Sequence, residues 1–310
     1  MNTITSSPLV TIVVPTYNRL PLLKRLMESL FHQTYENIEI LVVNNGCSDG
    51  TREYLNELCN YNARLRSYEF SVNTGSPMAC YNKGIELAQG EYICFIYDDD
   101  TLVKDAIEFL VGKAISHNSP WVVGNCQDNR TNELTFNGPV GDGEITFDDI
   151  IFERYTGEAW ALMRTSLFDG VRFDEAMYGG ESSVWLQLYK KTPAKYFHRP
   201  VRVYYTQHGG NITGTNAILA NIQKILYTER RYLDLFSQDF EVRGLLPGRN
   251  FRLALISVLC GQRGKSMGYL KSYVSLRRLH WVMFHLLATA LPLPILRSLV
   301  MLRSKLRGVG

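Results

Sequence analysis

Residues 90–100 read Gly-Glu-Tyr-Ile-Cys-Phe-Ile-Tyr-Asp-Asp-Asp. The run from Tyr92 to Ile96 is apolar or aromatic at every position, and three consecutive carboxylates follow one residue later, Asp98, Asp99 and Asp100. A run without polar interruptions suits a strand covered on both faces. Three adjacent acids at the end of such a strand repel one another and call for solvation or a counter-ion. Hard divalent cations such as Mg²⁺ and Mn²⁺ take carboxylate and phosphate oxygens, so one reading is a metal-assisted site for a phosphorylated ligand. The other is an acidic turn, because Asp is frequent in turns.

Outward from this stretch, strand-like runs alternate with helical periodicity. Residues 10–15, 38–43, 65–70, 91–97 and 121–126 read as strands. Leu22, Leu23, Leu26, Met27 and Leu30 recur at helical spacing, with Pro21 suited to a first turn. Helices are also expected over 52–60, capped by Ser48 or Asp49, and over 78–88 and 105–116. The pattern implies an α/β, Rossmann-like, mainly parallel sheet with helices on both faces. In such sheets ligands sit beyond the carboxyl ends of the strands, where the triple Asp lies. Residues 125–143 turn polar and rich in Gly and Asn, as a loop or small antiparallel excursion would. A further segment over 159–168, a short acidic loop, a helix from about residue 181 and a strand over 201–206 follow. After Gly214 the pattern is helical, over 217–236, 249–261 and 266–279.

With 310 residues, 45% of them hydrophobic and 20% charged, the chain has the material for a full core and is not of the disordered class. A net charge of +3, with no basic run interleaved with aromatics, argues against nucleic acid as a partner. The six cysteines are scattered without a CxxC pair, which fits reduced thiols in the cytoplasm rather than disulfides or zinc. The first residues carry no basic segment followed by an apolar stretch, so no signal peptide is expected.

Val10-Thr-Ile-Val-Val-Pro-Thr-Tyr-Asn-Arg19, Val42-Val-Asn-Asn-Gly-Cys-Ser-Asp-Gly-Thr51, residues 90–100 and Gly179-Gly-Glu-Ser182 resemble the inverting family 2 glycosyltransferases of the GT-A fold. Tyr204-Tyr-Thr-Gln-His-Gly-Gly-Asn-Ile-Thr213 is similar to that family's late histidine segment. The resemblance runs in the family's order over about residues 9–214 and leaves out the C-terminal helices. It implies a GT-A catalytic domain over 1–214, with a nucleotide-sugar half to about residue 125 and an acceptor half after it. A helical C-terminal region over 215–310 follows.

The resemblance also implies roles. Pro15, Thr16 and Tyr17 would contact the nucleoside, Tyr17 by stacking. Asn45 stands where the family often has Asp, and its amide both donates and accepts, which leaves UDP, dTDP and GDP donors open. Asp98 and Asp99 would contact the donor, and Asp98, Asp100 and His208 would hold Mn²⁺ or Mg²⁺. In an extended segment Asp98 and Asp100 share a side, with Asp99 opposite unless the strand has already turned. Many family members have Asp at the place of Tyr97. Glu181 is the expected general base, since a sugar hydroxyl must lose its proton on the face opposite the leaving group; Asp174 and Glu175 stand in reserve. Asn73 and Asn82, each two residues before a glycine, are read as helix caps and close-packing positions.

Residues 279–296 are uncharged, flanked by Arg277 and Arg278 before and Arg297, Arg303, Lys305 and Arg307 after. An in-plane membrane helix suits this composition best, against a buried or spanning one. The expected acceptor is accordingly a glycan, such as one linked to polyprenyl diphosphate, at the inner face of the cytoplasmic membrane. Two alternatives remain: a non-catalytic sugar-nucleotide-binding or scaffold subunit, and a sugar-nucleotide pyrophosphorylase. The latter calls for a Gly-rich basic phosphate loop, which residues 15–19 do not supply.

Overall fold

The computed structural model describes residues 7–205, 219–270, 289–292 and 295. The chain divides into two compact units, Met1–Glu175 with Glu181–His208, and Ala176–Gly180 with Gly209–Gly310.

In the first unit β1 (Val10–Thr16), α1 (Leu20–Phe31), β2 (Ile38–Asn44), α2 (Thr51–Tyr61), β3 (Leu65–Glu69), α3 (Pro77–Leu87) and β4 (Tyr92–Phe95) alternate. Every residue of β1 and β2 is buried, because helices lie on both faces. Strands β3, β2, β1 and β4 pair in parallel, with Val14 opposite Val42 and Val13 opposite Phe95. On one face Val10, Ile12 and Val14 pack with Leu23, Met27 and Leu55 of α1 and α2. On the other, Val13, Leu41 and Val43 pack with Met78 and Ile85 of α3. Gly84 permits that second contact, since a Cβ there would stand 2.3 Å from Val13 Cγ1.

The remaining elements are β5 (Thr101–Leu102), α4 (Ala106–Ser116), β6 (Trp121–Asp128), β7 (Gly143–Ile145), α5 (Phe147–Ile151), β8 (Ala159–Arg164), α6 (Glu181–Lys191) and β9 (Ala194–Tyr204). The sheet runs β3-β2-β1-β4-β8-β6-β9-β5, with β7 on β9. The parallel character of the first four strands is therefore not continued throughout. β8 is antiparallel to both β4 and β6, and β5 and β7 are antiparallel to β9. Strand direction leaves no trace in an apolar run, so periodicity had no means of marking this change. β9 begins seven residues before the expected 201, and its pairing with β6 shifts register near Pro200. Proline lacks the ladder N–H, which is why only the part after it reads as a strand. The segment over 159–168 divides into β8, which ends at Arg164, and one 3₁₀ turn, Thr165–Phe168.

Helix starts also differ from expectation in detail. Pro21 does sit in the first turn of α1. The N-cap of α2 is Gly50 in the left-handed region (φ 88°), not Ser48 or Asp49. Asp49, one residue earlier, accepts from Thr51 N at 3.3 Å and Oγ1 at 2.6 Å, and also from Leu20 N at 2.9 Å. One carboxylate thus serves the first turns of both α1 and α2, and those hydrogen bonds hold its pKa below the usual Asp value against the opposing effect of burial. Ser76, not Asn73 or Asn82, caps α3, accepting from Met78 N at 3.3 Å.

The second unit contains α7 (Ile222–Val242), α8 (Leu246–Leu259) and α9 (Arg263–Leu270). Ile222 and Leu226 of α7 pack with Leu253 and Ile256 of α8, and Arg252 pairs with the buried Glu229 at 2.7 Å. Among the described residues no helix is long and apolar enough to cross a membrane. Most of the tail over 279–310 lies outside the described residues.

Candidate active site

β4 ends at Phe95, two residues before the expected strand end at 97. Trp160 of β8 donates from Nε1 to the Phe95 carbonyl at 2.8 Å, and Ile96 N still reaches Val13 O at 3.1 Å. Asp98 and Asp99 then occupy a turn. Strand alternation no longer applies there, and the three acids separate differently from the extended-chain expectation. Asp98 and Asp99 share Arg19, whose Nη1 stands 3.3 Å and 2.9 Å from them. Asp100 turns toward β9, where its Oδ1 accepts from Tyr205 N at 3.0 Å and its Oδ2 lies 3.5 Å from Arg202 Nη1.

Asp98 and Asp100 are almost wholly buried, at 3% and 2% exposure. Burial pushes each carboxyl up to about 6. For Asp98, Thr16 and Arg19 oppose the rise; for Asp100, Arg202 and the Tyr205 amide do. Desolvation, the largest cause of each rise, weighs against the charged form. A set of carboxylate oxygens is the donor chemistry that a hard divalent cation takes. Among the described residues no group of three His, Cys, Asp or Glu side chains is arranged to hold a metal, and His208 lies outside them.

The loops after β1 and β2 meet beside these acids. Thr16 Oγ1 donates to Asp98 Oδ2 at 2.7 Å. Asn45 N donates to Thr16 O at 2.9 Å, and Ser48 N to Asn18 Oδ1 at 2.8 Å. Tyr17 is 44% exposed, a free aromatic face at the strand end. Asn45 is buried and partly committed: its Oδ1 accepts from Thr74 N at 3.0 Å, and its Nδ2 donates to Asn73 Oδ1 at 3.3 Å. One N–H and one lone pair of that amide remain. Gly46, at φ 73°, lets the loop pass, since a Cβ there would stand 2.6 Å from Asn73 N.

Glu181 opens α6, where a carboxylate is favoured by the helix dipole. Its Oε1 accepts from Tyr97 Oη at 2.7 Å. The base expected on the acceptor side and the acid turn expected on the donor side are therefore joined through one phenol. Of the reserve acids, Glu175 Oε1 accepts from Asn82 Nδ2 at 3.0 Å, and Asn82 also bonds the Phe173 backbone in both directions. Asn82 thus ties down residues 173–175.

Sequence reasoning missed three cations and one phenol. Arg19 lies in the first motif, where the sequence assigns it no role. Arg25 donates to the Asp99 carbonyl and lies 3.7 Å from the Tyr205 ring centroid. Arg202 is buried at 6% exposure and meets Asp100, Glu158 at 2.8 Å and Cys126 Sγ at 3.2 Å. Burial works against its charge, but the surrounding acids outweigh it and keep its pKa raised. Cys126, itself pushed up to about 11 by burial, is neutral at pH 7 and serves only as an acceptor. A buried Arg alternating with apolar residues along 201–204 was the available signal. Tyr97, noted only as a missing carboxylate, contacts Glu181.

Residues 11–163 match the family model described as Glycosyl transferase family 2. A Campylobacter jejuni protein named GalNAc(5)-diNAcBac-PP-undecaprenol beta-1,3-glucosyltransferase is 31% identical over 201 residues, which are 64% of this chain and 64% of that protein. The chain thus spans less than two thirds of that relative's length. In fold, S. aureus TarS 1–349, solved in complex with UDP-GlcNAc, superposes with a TM-score of 0.59 at 16% identity, over 87% of this chain and 92% of that one. The mannosyltransferase PcManGT from Pyrobaculum calidifontis, solved with GDP-Man and Mn²⁺, gives 0.55 at 15% identity, over 96% and 87%. Residues 11–163 thus form a glycosyl transferase family 2 domain, on a GT-A fold.

Proposed function

We propose that the protein transfers a sugar from a nucleotide-diphospho sugar to an acceptor hydroxyl in one inverting step. The observation that carries this reading is the 2.7 Å contact between Tyr97, next to the acid turn, and Glu181 at the start of α6. The contact brings the Glu181 carboxylate next to the residue that precedes the acid turn, which supports a base beside a metal-diphosphate site. The acceptor oxygen attacks the anomeric carbon while Glu181 takes its proton. The bond from that carbon to the phosphate oxygen breaks, and its electron pair leaves with the nucleoside diphosphate. Thr16, Tyr17 and Asn45 border the nucleoside, and Arg19 and Asp99 the diphosphate side. Asp98 and Asp100, with His208, would hold Mn²⁺ or Mg²⁺, which supplies Lewis-acid stabilisation of the departing charge.

A screen of UDP-, dTDP- and GDP-sugars by thermal denaturation, with Mn²⁺ and with chelator, tests this directly. One nucleotide class should raise the Tm only with Mn²⁺; saturation at a hundred times Kd corresponds to about 2.7 kcal/mol. The same donor should be slowly hydrolysed. Binding without turnover would support a sugar-nucleotide-binding subunit instead. Condensation of a sugar 1-phosphate with a nucleoside triphosphate would support a pyrophosphorylase.

The acceptor in this proposal is a polyprenyl-diphosphate-linked glycan of a bacterial surface polysaccharide, such as O-antigen or capsule, met at the inner face of the cytoplasmic membrane. Support comes from the Campylobacter relative's name, which specifies an undecaprenol-linked substrate, and from the uncharged, Arg-flanked stretch over 279–296. Deleting residues 279–310 should move the protein from the membrane pellet to the soluble fraction of a cell lysate. An unchanged distribution would remove the tail from the proposal.

A further inference from the structure

The Tyr97 hydroxyl does more than join two parts of the site. Its ring is fixed by an aromatic cluster: Tyr81 lies 5.6 Å away between centroids, and Tyr81 in turn packs against Phe95 at 4.8 Å and Phe173 at 5.2 Å. Tyr81 is 3% exposed, so the cluster has little room to move. A phenol has one O–H to donate, and this one is directed to Glu181 Oε1 at 2.7 Å. Glu181 by itself is a flexible side chain on the first residue of its helix, with several rotamers open to it.

We propose that Tyr97 is a positioning residue, which fixes Glu181 by donating to Oε1 and so leaves Oε2 to take the acceptor's proton. This rests on Glu181 being the base. A second carboxylate at position 97 would repel Glu181, whereas a phenol on a packed ring supplies a donor at a fixed point. Misplacement of a reacting group by about 1 Å costs on the order of 100-fold in rate, which sets the scale of the effect.

The test compares wild type, Tyr97→Phe, Glu181→Gln and the double variant. The reading is release of nucleoside diphosphate from UDP-glucose, UDP-N-acetylglucosamine, dTDP-glucose or GDP-mannose, with Mn²⁺ and water as acceptor. Tyr97→Phe keeps the ring and loses only the donor. Its kcat should fall about 10- to 100-fold with donor KM unchanged, and it should add nothing to the loss in Glu181→Gln. Tyr97→Met, which fills the ring's space without a donor, should reproduce the kcat loss from different packing. The donor-induced rise in Tm, measured alongside, identifies a folded site. Wild-type kcat in Tyr97→Phe, or losses that add in the double variant, overturns the positioning role while Glu181 stands as base. Full activity in Glu181→Gln overturns the base assignment itself, and the positioning role with it.

Discussion

Replacing Glu181 by glutamine is expected to lower turnover by about 10²- to 10⁴-fold, the usual contribution of a general base. The amide keeps the size of the side chain and can still accept from Tyr97 through its oxygen, so the site should remain assembled. What disappears is the capacity to take a proton as the new glycosidic bond forms. Donor KM and the Mn²⁺-dependent rise in Tm should therefore persist while kcat collapses, the pattern of a group that acts only in the transition state. Steady-state release of nucleoside diphosphate, measured beside donor-induced thermal stabilisation, checks both halves. A variant that turns over at the wild-type rate would move the base to another residue, with Glu175 the first to test.

The second large effect is on stability. Arg202→Met removes a guanidinium that is 7% exposed in its side chain, leaving Asp100, 3% exposed, without its nearest cation. Breaking a buried ion pair from one side costs about 3–5 kcal/mol, because the remaining charge stays desolvated. At about 2–4 °C per kcal/mol for a domain of this size, the Tm should drop by roughly 10 °C. The exposed partner, Glu158, at 49%, can recover water and should contribute little to the loss. Adding Asp100→Asn should restore much of the stability, since the orphaned charge is then gone. An unchanged Tm in Arg202→Met would show that Asp100 is compensated by something other than this arginine.

What the sequence could and could not show follows from the range of each interaction. The parallel β2-β1-β4 layer was legible because burial on both faces writes runs that are apolar at nearly every position, as in Val10–Val14, broken only by Thr11, and Ile38–Val43, broken only by Glu39. The antiparallel insertion of β8 was not, because Ala159–Arg164 has the same composition in either direction. The acid turn was visible as three letters in a row. Its geometry was not, since the strand ends at Phe95 through Trp160, a hydrogen bond across 65 residues of chain. Arg202 and Tyr97 reach their partners over comparable or greater separations. Periodicity carries no information at that distance. Motif resemblance placed Glu181 and the Asp cluster on one site, and the contact that joins them had to come from coordinates.

Asp49 bears on how such a site can change over time. Its carboxylate binds Leu20 N and Thr51 together, so the segments proposed to border the nucleoside are pinned at a shared point. A substitution that shifts one of them transmits its strain to the other. Altered donor preference is then an outcome of paired changes in residues 16–19 and 45–49, and the two loops form one unit of inheritance rather than two independently adjustable dials.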